Sequence, residues 1–309
     1  MTTKSYGTSD KSANKGLNKS KAKSGSQSFF VVGIGAGIGG QEALHDFFEQ
    51  LHDGLAAYLL IQHVQPWLLG IMPDLLSKYA HLPVMKATNG LLIEPGRIYL
   101  TSTNKDITIH NNTLYVSERH KVNNPLQLIS ASFTMLANVY GAKTAGILLS
   151  GMGNDGTESL VAIRDAESLA MVQSPATTRY NEMPAHAEAM GVTEHIKSPR
   201  ELAQELEHYF SQTKNLLNNT PDIEDKNTLR TILELVEEQP AFDFTSYKLP
   251  TLYRRTVRRM ALNKIPNMRT YLKFMHEHPD EVLMLLPAGA RQRLGHKPET
   301  RRQKLVRIV

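Results

Sequence analysis

The chain has 309 residues, 41% of them hydrophobic, with no cysteine and a formal net charge of +5. That length buries a full core in about two domains, and the missing cysteines exclude disulfides, thiolate metal sites and a cysteine nucleophile together. No apolar run approaches the ~20 residues of a bilayer span and no hydrophobic signal follows the N-terminal lysines, so a cytoplasmic protein without membrane insertion is expected.

Residues 1–28 carry six lysines and one aspartate, and too few apolar residues to offset the entropy of ordering; they are expected to be a disordered basic leader. Residues 29–247 then carry 14 basic against 25 acidic side chains, and 248–309 carry 15 against four. The basic balance thus belongs to two ends flanking an acidic domain. It does not argue for nucleic acid, for which no pattern of interleaved stacking aromatics is present either.

From residue 29 short apolar runs alternate with helical patterns. The run 29–34 predicts a buried strand, followed by glycines at 33, 35, 37, 39 and 40 and an amphipathic helix carrying Ala43, Leu44, Phe47, Phe48 and Leu51. Strands are expected at 56–63, 96–102 and 106–117, the last a hairpin about Asn111-Asn112. Helices are expected at 66–80, opened by Pro66, and at 125–141, closed by Gly141. A strand at 143–151, a helix at 157–168, a strand at 169–174 and helices at 183–191 and 198–212 complete an α/β domain, a doubly wound and largely parallel sheet over 29–212. The polar stretch 213–227 reads as a linker. Residues 228–286 read as a small all-α module with helices at 229–239, 251–265, 267–279 and 280–286 and a turn at 242–247. The Arg-rich 287–309 loses apolar periodicity and reads as disordered or truncated.

Ligands of an open parallel sheet bind at the carboxyl ends of its strands, near the switch point. Three strands end there in distinctive residues: GIGAGIGG at 33–40, Gln62-His63, and GMGNDG at 151–156. If the three are neighbours, His63 and Asp155 converge over Gly37. A histidine oriented by a carboxylate is the general-base half of a hydrolase triad, with helix-N-terminal amides as oxyanion donors. No oxygen nucleophile stands on the first turn. The rival reading is a dinucleotide site, since Gly35-x-Gly37-x-x-Gly40 fits GxGxxG; that site needs an acid at the end of the second strand, where Gln62-His63 stands. A structural glycine turn with no retained function is the blander alternative.

These motifs, with EPGRIYL at 94–100, the Arg119-His120 pair, Gln173 and Met183-Pro184, resemble the CheB-type chemotaxis methylesterases over roughly 29–210. The resemblance implies hydrolysis of glutamate methyl esters on chemoreceptor cytoplasmic regions, with His63 as base, Asp155 as its orienting carboxylate, and backbone at Ile38, Gly39 and Met152 as oxyanion donors. No cofactor or metal is implied. The family's nucleophilic serine is here Gly37 and the hydroxyl residue after it Ile38, so an impaired esterase, or a non-catalytic receptor-binding module, is expected. Residues 242–286 resemble the N-terminal helical domain of CheR-type methyltransferases, without the S-adenosylmethionine-binding domain that would follow, so no methyltransferase activity is expected. The pairs Arg254-Arg255 and Arg258-Arg259 lie on neighbouring turns of one helix: either a solvated face or an anion-docking face suited to acidic receptor helices.

Overall fold

The computed structural model describes residues 29–52, 54–63, 66–101, 105–118, 127–193, 195–218, 223–238 and 249–286. The expected leader, the 242–247 turn, the Arg119-His120 pair and the Arg-rich tail lie outside the described residues.

The apolar runs form the strands of one parallel sheet: β1 (Phe30–Ala36), β2 (Ala56–Gln62), β3 (Val84–Lys86), β5 (Arg97–Leu100), β8 (Thr144–Leu148), β9 (Leu169–Gln173) and β10 (Ile196–Lys197). Their spatial order is β10-β9-β8-β1-β2-β5-β3, every pairing parallel. Every residue of β2, β8 and β9 is buried, which is why these segments read as unbroken apolar runs rather than alternating ones. The switch point lies at β1, flanked by β2 on one side and β8 on the other.

Helices cover both faces. On one face lie α1 (Gly40–Phe48), α2 (Pro66–Leu76) and α6 (Pro199–Asn218), whose Leu44, Phe47, Leu76, Leu202 and Phe210 share a cluster with Ile34, Tyr58 and Leu60 of the strands. On the other lie α3 (Leu128–Tyr140), α4 (Thr157–Asp165) and α5 (Glu182–Ala189). A small antiparallel sheet of β4 (Leu91–Leu92), β6 (Lys105–His110) and β7 (Thr113–Glu118) packs with that second face through Ile109 and Leu114. The hairpin turns at Asn111 and Asn112 with φ of 49° and 58°, the left-handed pair that a two-residue connection of this type demands.

Two glycines of β1 decide how close α3 comes. A Cβ on Gly33 would meet Leu136 at 2.6 Å and one on Gly35 would meet Ile129 at 2.5 Å, so α3 lies directly on the β1 backbone. Its N-terminus is thereby brought to the carboxyl edge of the sheet.

Beyond the sheet, α7 (Ile223–Glu237), α8 (Leu249–Leu262), α9 (Met268–Glu277) and α10 (Asp280–Met284) enclose a separate core of Leu229, Ile232, Leu252, Met260, Tyr271 and Leu286. The expected linker is mostly helical: α6 runs on to Asn218 and α7 starts at Ile223. The reason is visible at Thr213, fully buried, and at Gln212, whose amide donates to the Ile265 carbonyl at 3.1 Å. The last turns of α6 thus serve as a packing face for the helical module.

Candidate active site

Strands β8, β1 and β2 are neighbours, so their three terminal turns stand side by side. Pairing of Ala36 with Gln62 extends by one bond, His63 N–H to the Ala36 carbonyl at 3.0 Å, placing residue 63 beside Gly37. On the other side Gly37 N–H donates to the Ser150 carbonyl at 2.8 Å, tying the first turn to the third.

His63 Nε2 lies 2.7 Å from Asp155 Oδ2. That carboxylate is only 7% exposed and is saturated: Oδ2 also accepts the Ile129 N–H at 2.8 Å, and Oδ1 accepts the Ser130 N–H at 3.0 Å and its hydroxyl at 2.6 Å. Burial alone would raise its pKa, but the bonds from His63, Ser130 and Ile129 together outweigh burial and hold the carboxyl below its ordinary value. An ionised carboxylate only accepts, so Nε2 is the donor of this bond. That is the geometry an oriented general base requires.

Ser130 was not singled out in the sequence. Besides holding Asp155, its hydroxyl accepts the Gly156 N–H at 2.9 Å, where φ of 87° turns the chain into α4. Its role depends on the close packing of α3 on β1, which no local pattern announces. Gln173 is a second support: its side-chain carbonyl accepts the Ser150 N–H at 2.8 Å and fixes the turn after β8. Gln62, one residue before the base, is buried on the opposite face of β2 and takes no part.

The expected oxyanion donors surround the missing side chain. A Cβ on Gly37 would point to within 3.8 Å of the Met152 amide nitrogen. Among the described residues no acceptor takes the N–H of Met152 or of Ile38. Gly39 has φ of 77° and caps α1. A side chain there would strike the Tyr180 ring at 2.5 Å, although Gly39 itself is exposed. With no acid at the end of β2, the dinucleotide reading has no support. Ser150 offers no substitute nucleophile: it is fully buried, and its hydroxyl is engaged with the Ile38 carbonyl at 3.0 Å and Thr178 at 2.8 Å. Among the described residues no three histidine, aspartate or glutamate side chains are grouped as metal ligands, and no helix is long and apolar enough to cross a membrane.

The four arginines of α8 do not form one outward face. Arg259 makes a two-pronged pair with the buried Glu281 at 2.7 and 2.6 Å, Arg255 contacts Glu167 at 2.5 Å, and Arg258 is half-buried; Arg254 is exposed. Two of the four are thus committed to the chain's own carboxylates.

A histidine, its carboxylate and backbone donors without an acceptor, set at the carboxyl ends of adjacent parallel strands, have the arrangement of a triad-class hydrolase site, with a glycine where a nucleophile would stand. The sequence model of the CheB methylesterase family matches residues 32–206, over half of the chain, and the chain belongs to that family. A second model, the all-alpha domain of CheR methyltransferase, matches residues 227–288. Protein-glutamate methylesterase/protein-glutamine glutaminase 2 of Burkholderia lata is 34% identical over 179 residues, 57% of this chain and 52% of the relative. The corresponding protein 3 of Pseudomonas aeruginosa is 33% identical over 184 residues, 58% of this chain and 54% of the relative. The chain therefore spans about half the length of the curated relatives it matches. The fold is that of the Thermotoga maritima CheB methylesterase catalytic domain, with a TM-score of 0.53 and 22% identity over 58% of this chain and 97% of that one.

Proposed function

We propose that the crevice over Gly37 takes methylated glutamate side chains of proteins, the substrate class named for the relatives, in chemoreceptor cytoplasmic regions, and turns them over slowly at best. The observation that carries this reading is the His63–Asp155 pair, intact at 2.7 Å beside a residue with no side chain. Attack on an ester carbonyl needs an oxygen; without one at position 37, the remaining route is a solvent water that gives its proton to His63 Nδ1. The Ile38 and Met152 amides would then receive the developing oxyanion. Ile38 and Met152, 52% and 53% exposed, and the exposed Tyr180 supply an apolar rim on which a receptor helix can rest. Two α8 arginines already serve intramolecular pairs, which favours the crevice over that helix as the receptor-contacting surface.

The test is titration of a methylated receptor cytoplasmic fragment, with methanol release followed in parallel. Binding that weakens when Ile38 and Met152 are replaced by Asp, with wild-type turnover orders of magnitude below an ordinary esterase, is the expected result. Tight binding unaffected by both replacements would move the receptor surface elsewhere, and rapid turnover would contradict the role assigned to Gly37.

A further inference from the structure

Met152 and Asp155 belong to one turn, residues 150–156, that follows β8. It has glycine at 151, 153 and 156, and such a chain is free to take many backbone conformations. Much of its restraint comes from the chain entering α5. Gly151 N–H donates to the Tyr180 carbonyl at 2.9 Å, and the Gly151 carbonyl accepts the Met183 N–H at 3.1 Å. Met183 is the second residue of α5, so this bond also satisfies one of the amides that a helix N-terminus leaves without a partner. Its side chain, fully buried, lies across Gly151, where an added Cβ would stand 2.2 Å from the sulfur.

Glu182, the first residue of α5, reaches the other side of Met152: its Oε2 accepts the Gly153 N–H at 2.9 Å. A trans peptide is planar, with its C=O and N–H on opposite sides. The Gly151 carbonyl therefore fixes the plane that carries the Met152 N–H, and the Gly153 N–H fixes the plane after it. The two planes meet at the Met152 Cα, so with both pinned neither its φ nor its ψ is free. Without the Glu182 bond the second plane is loose. Gly153, at φ of 81°, is the residue type that lets the peptide before it turn over, the rotation by which type I and type II turns differ.

We propose that Glu182 is a positioning residue for the backbone donor at Met152, holding the turn so that this amide is already aimed when an oxyanion develops. The inference rests on the crevice being an esterase site. A preorganised donor needs no rearrangement at the moment of reaction. Losing one outright costs about 10²–10³-fold in turnover, and one left to wander should cost about tenfold. The same carboxylate, in the first turn of α5, also suits the helix dipole. That second role would affect stability and leave turnover alone. Glu182 is exposed, so replacing it opens no cavity.

The experiment is steady-state release of p-nitrophenolate from p-nitrophenyl acetate by the full chain carrying Gly37→Ser, alone and combined with Glu182→Ala or Glu182→Gln. Because the donor serves both acylation and deacylation, the Ala combination should show kcat about tenfold lower with KM within about twofold. The Gln combination should restore kcat to near the parent value, since its amide oxygen accepts the same N–H. Equal kcat in all three would overturn the proposal, and so would a change confined to KM. A Gln combination as slow as the Ala one would assign the effect to the carboxylate's charge and overturn it likewise. Failure of the esterase reading shows separately: the Gly37→Ser parent would then release no more p-nitrophenolate than the unaltered chain, and the assignment to Glu182 would fall with it.

Discussion

Replacing Gly37 by serine puts back the one atom that the site lacks, and the structure sets what that should cost and gain. The φ of Gly37 lies outside the left-handed region, so its backbone does not require glycine. An added Cβ would stand 3.1 Å from the Gly151 Cα, 3.6 Å from the Met183 sulfur and 3.8 Å from the Met152 nitrogen. The first contact is tight, and relieving it means a shift of a few tenths of an ångström in the turn after β8, at about 1 kcal/mol. Tm should therefore fall by only a few degrees. On the other side, a triad stripped of its nucleophile loses about 10⁶-fold in rate. With His63, Asp155 and the Met152 amide already placed, Gly37→Ser should raise methanol release from methylated receptor fragments by about 10³-fold or more. A folded variant with no gain would show that the site has decayed beyond Gly37 and refute the reading of an otherwise competent crevice.

Other outcomes follow from the same geometry. His63→Ala should lower any residual wild-type turnover by about 10²-fold, the usual share of a general base; an unchanged rate would show that His63 does not act. Ser130→Ala removes the 2.6 Å bond to Asp155 and should destabilise by about 1–3 kcal/mol. Because the folded Asp155 pKa is depressed, that difference should be full above about pH 4 and close as pH falls through the folded value; a pH-independent difference would exclude the carboxylate as its cause. Glu205 is half-buried, and desolvation would raise its pKa, yet His195 and Lys197 pull it from 4.5 down to about 2. Its stabilisation is present above pH 4.5 and lost between there and about pH 2, so Glu205→Gln should flatten that part of the acid unfolding profile, and equal steepness would contradict the pairing. Glu281→Ala leaves Arg259 without its buried partner and should cost about 3–5 kcal/mol in denaturant unfolding; a loss below 1 kcal/mol would mean the pair is solvated.

The core of the candidate site was legible because each of its residues lies in the turn that follows a strand. His63 follows an apolar run, Asp155 sits in a glycine turn before a helix, and Gly37 lies between strand and helix; parallel packing then had to bring three such ends together. Ser130 was not legible. It sits 25 residues from Asp155 and reaches it only because Gly33 and Gly35 let α3 settle on the β1 backbone. The continuation of α6 to Asn218 was hidden by polar composition, since what holds Thr213 is a neighbouring helix far along the chain. The same limit applies to α8, where sequence shows four arginines but not that Glu167 and Glu281 wait for two of them. Strands β3, β4 and β10, two or three residues long, are too short for any period to register.

The central claim is that this crevice retains an activating base and lacks only the oxygen it would activate. Peptide mass mapping after brief exposure to p-nitrophenyl acetate tests it without reference to the natural substrate. The wild type should carry no acetyl group on the peptide spanning residues 29–48. The Gly37→Ser variant should carry one there, at a rate that collapses when His63 is also changed to Ala. An adduct on that wild-type peptide, or acetylation of the variant that is indifferent to His63, would contradict the claim.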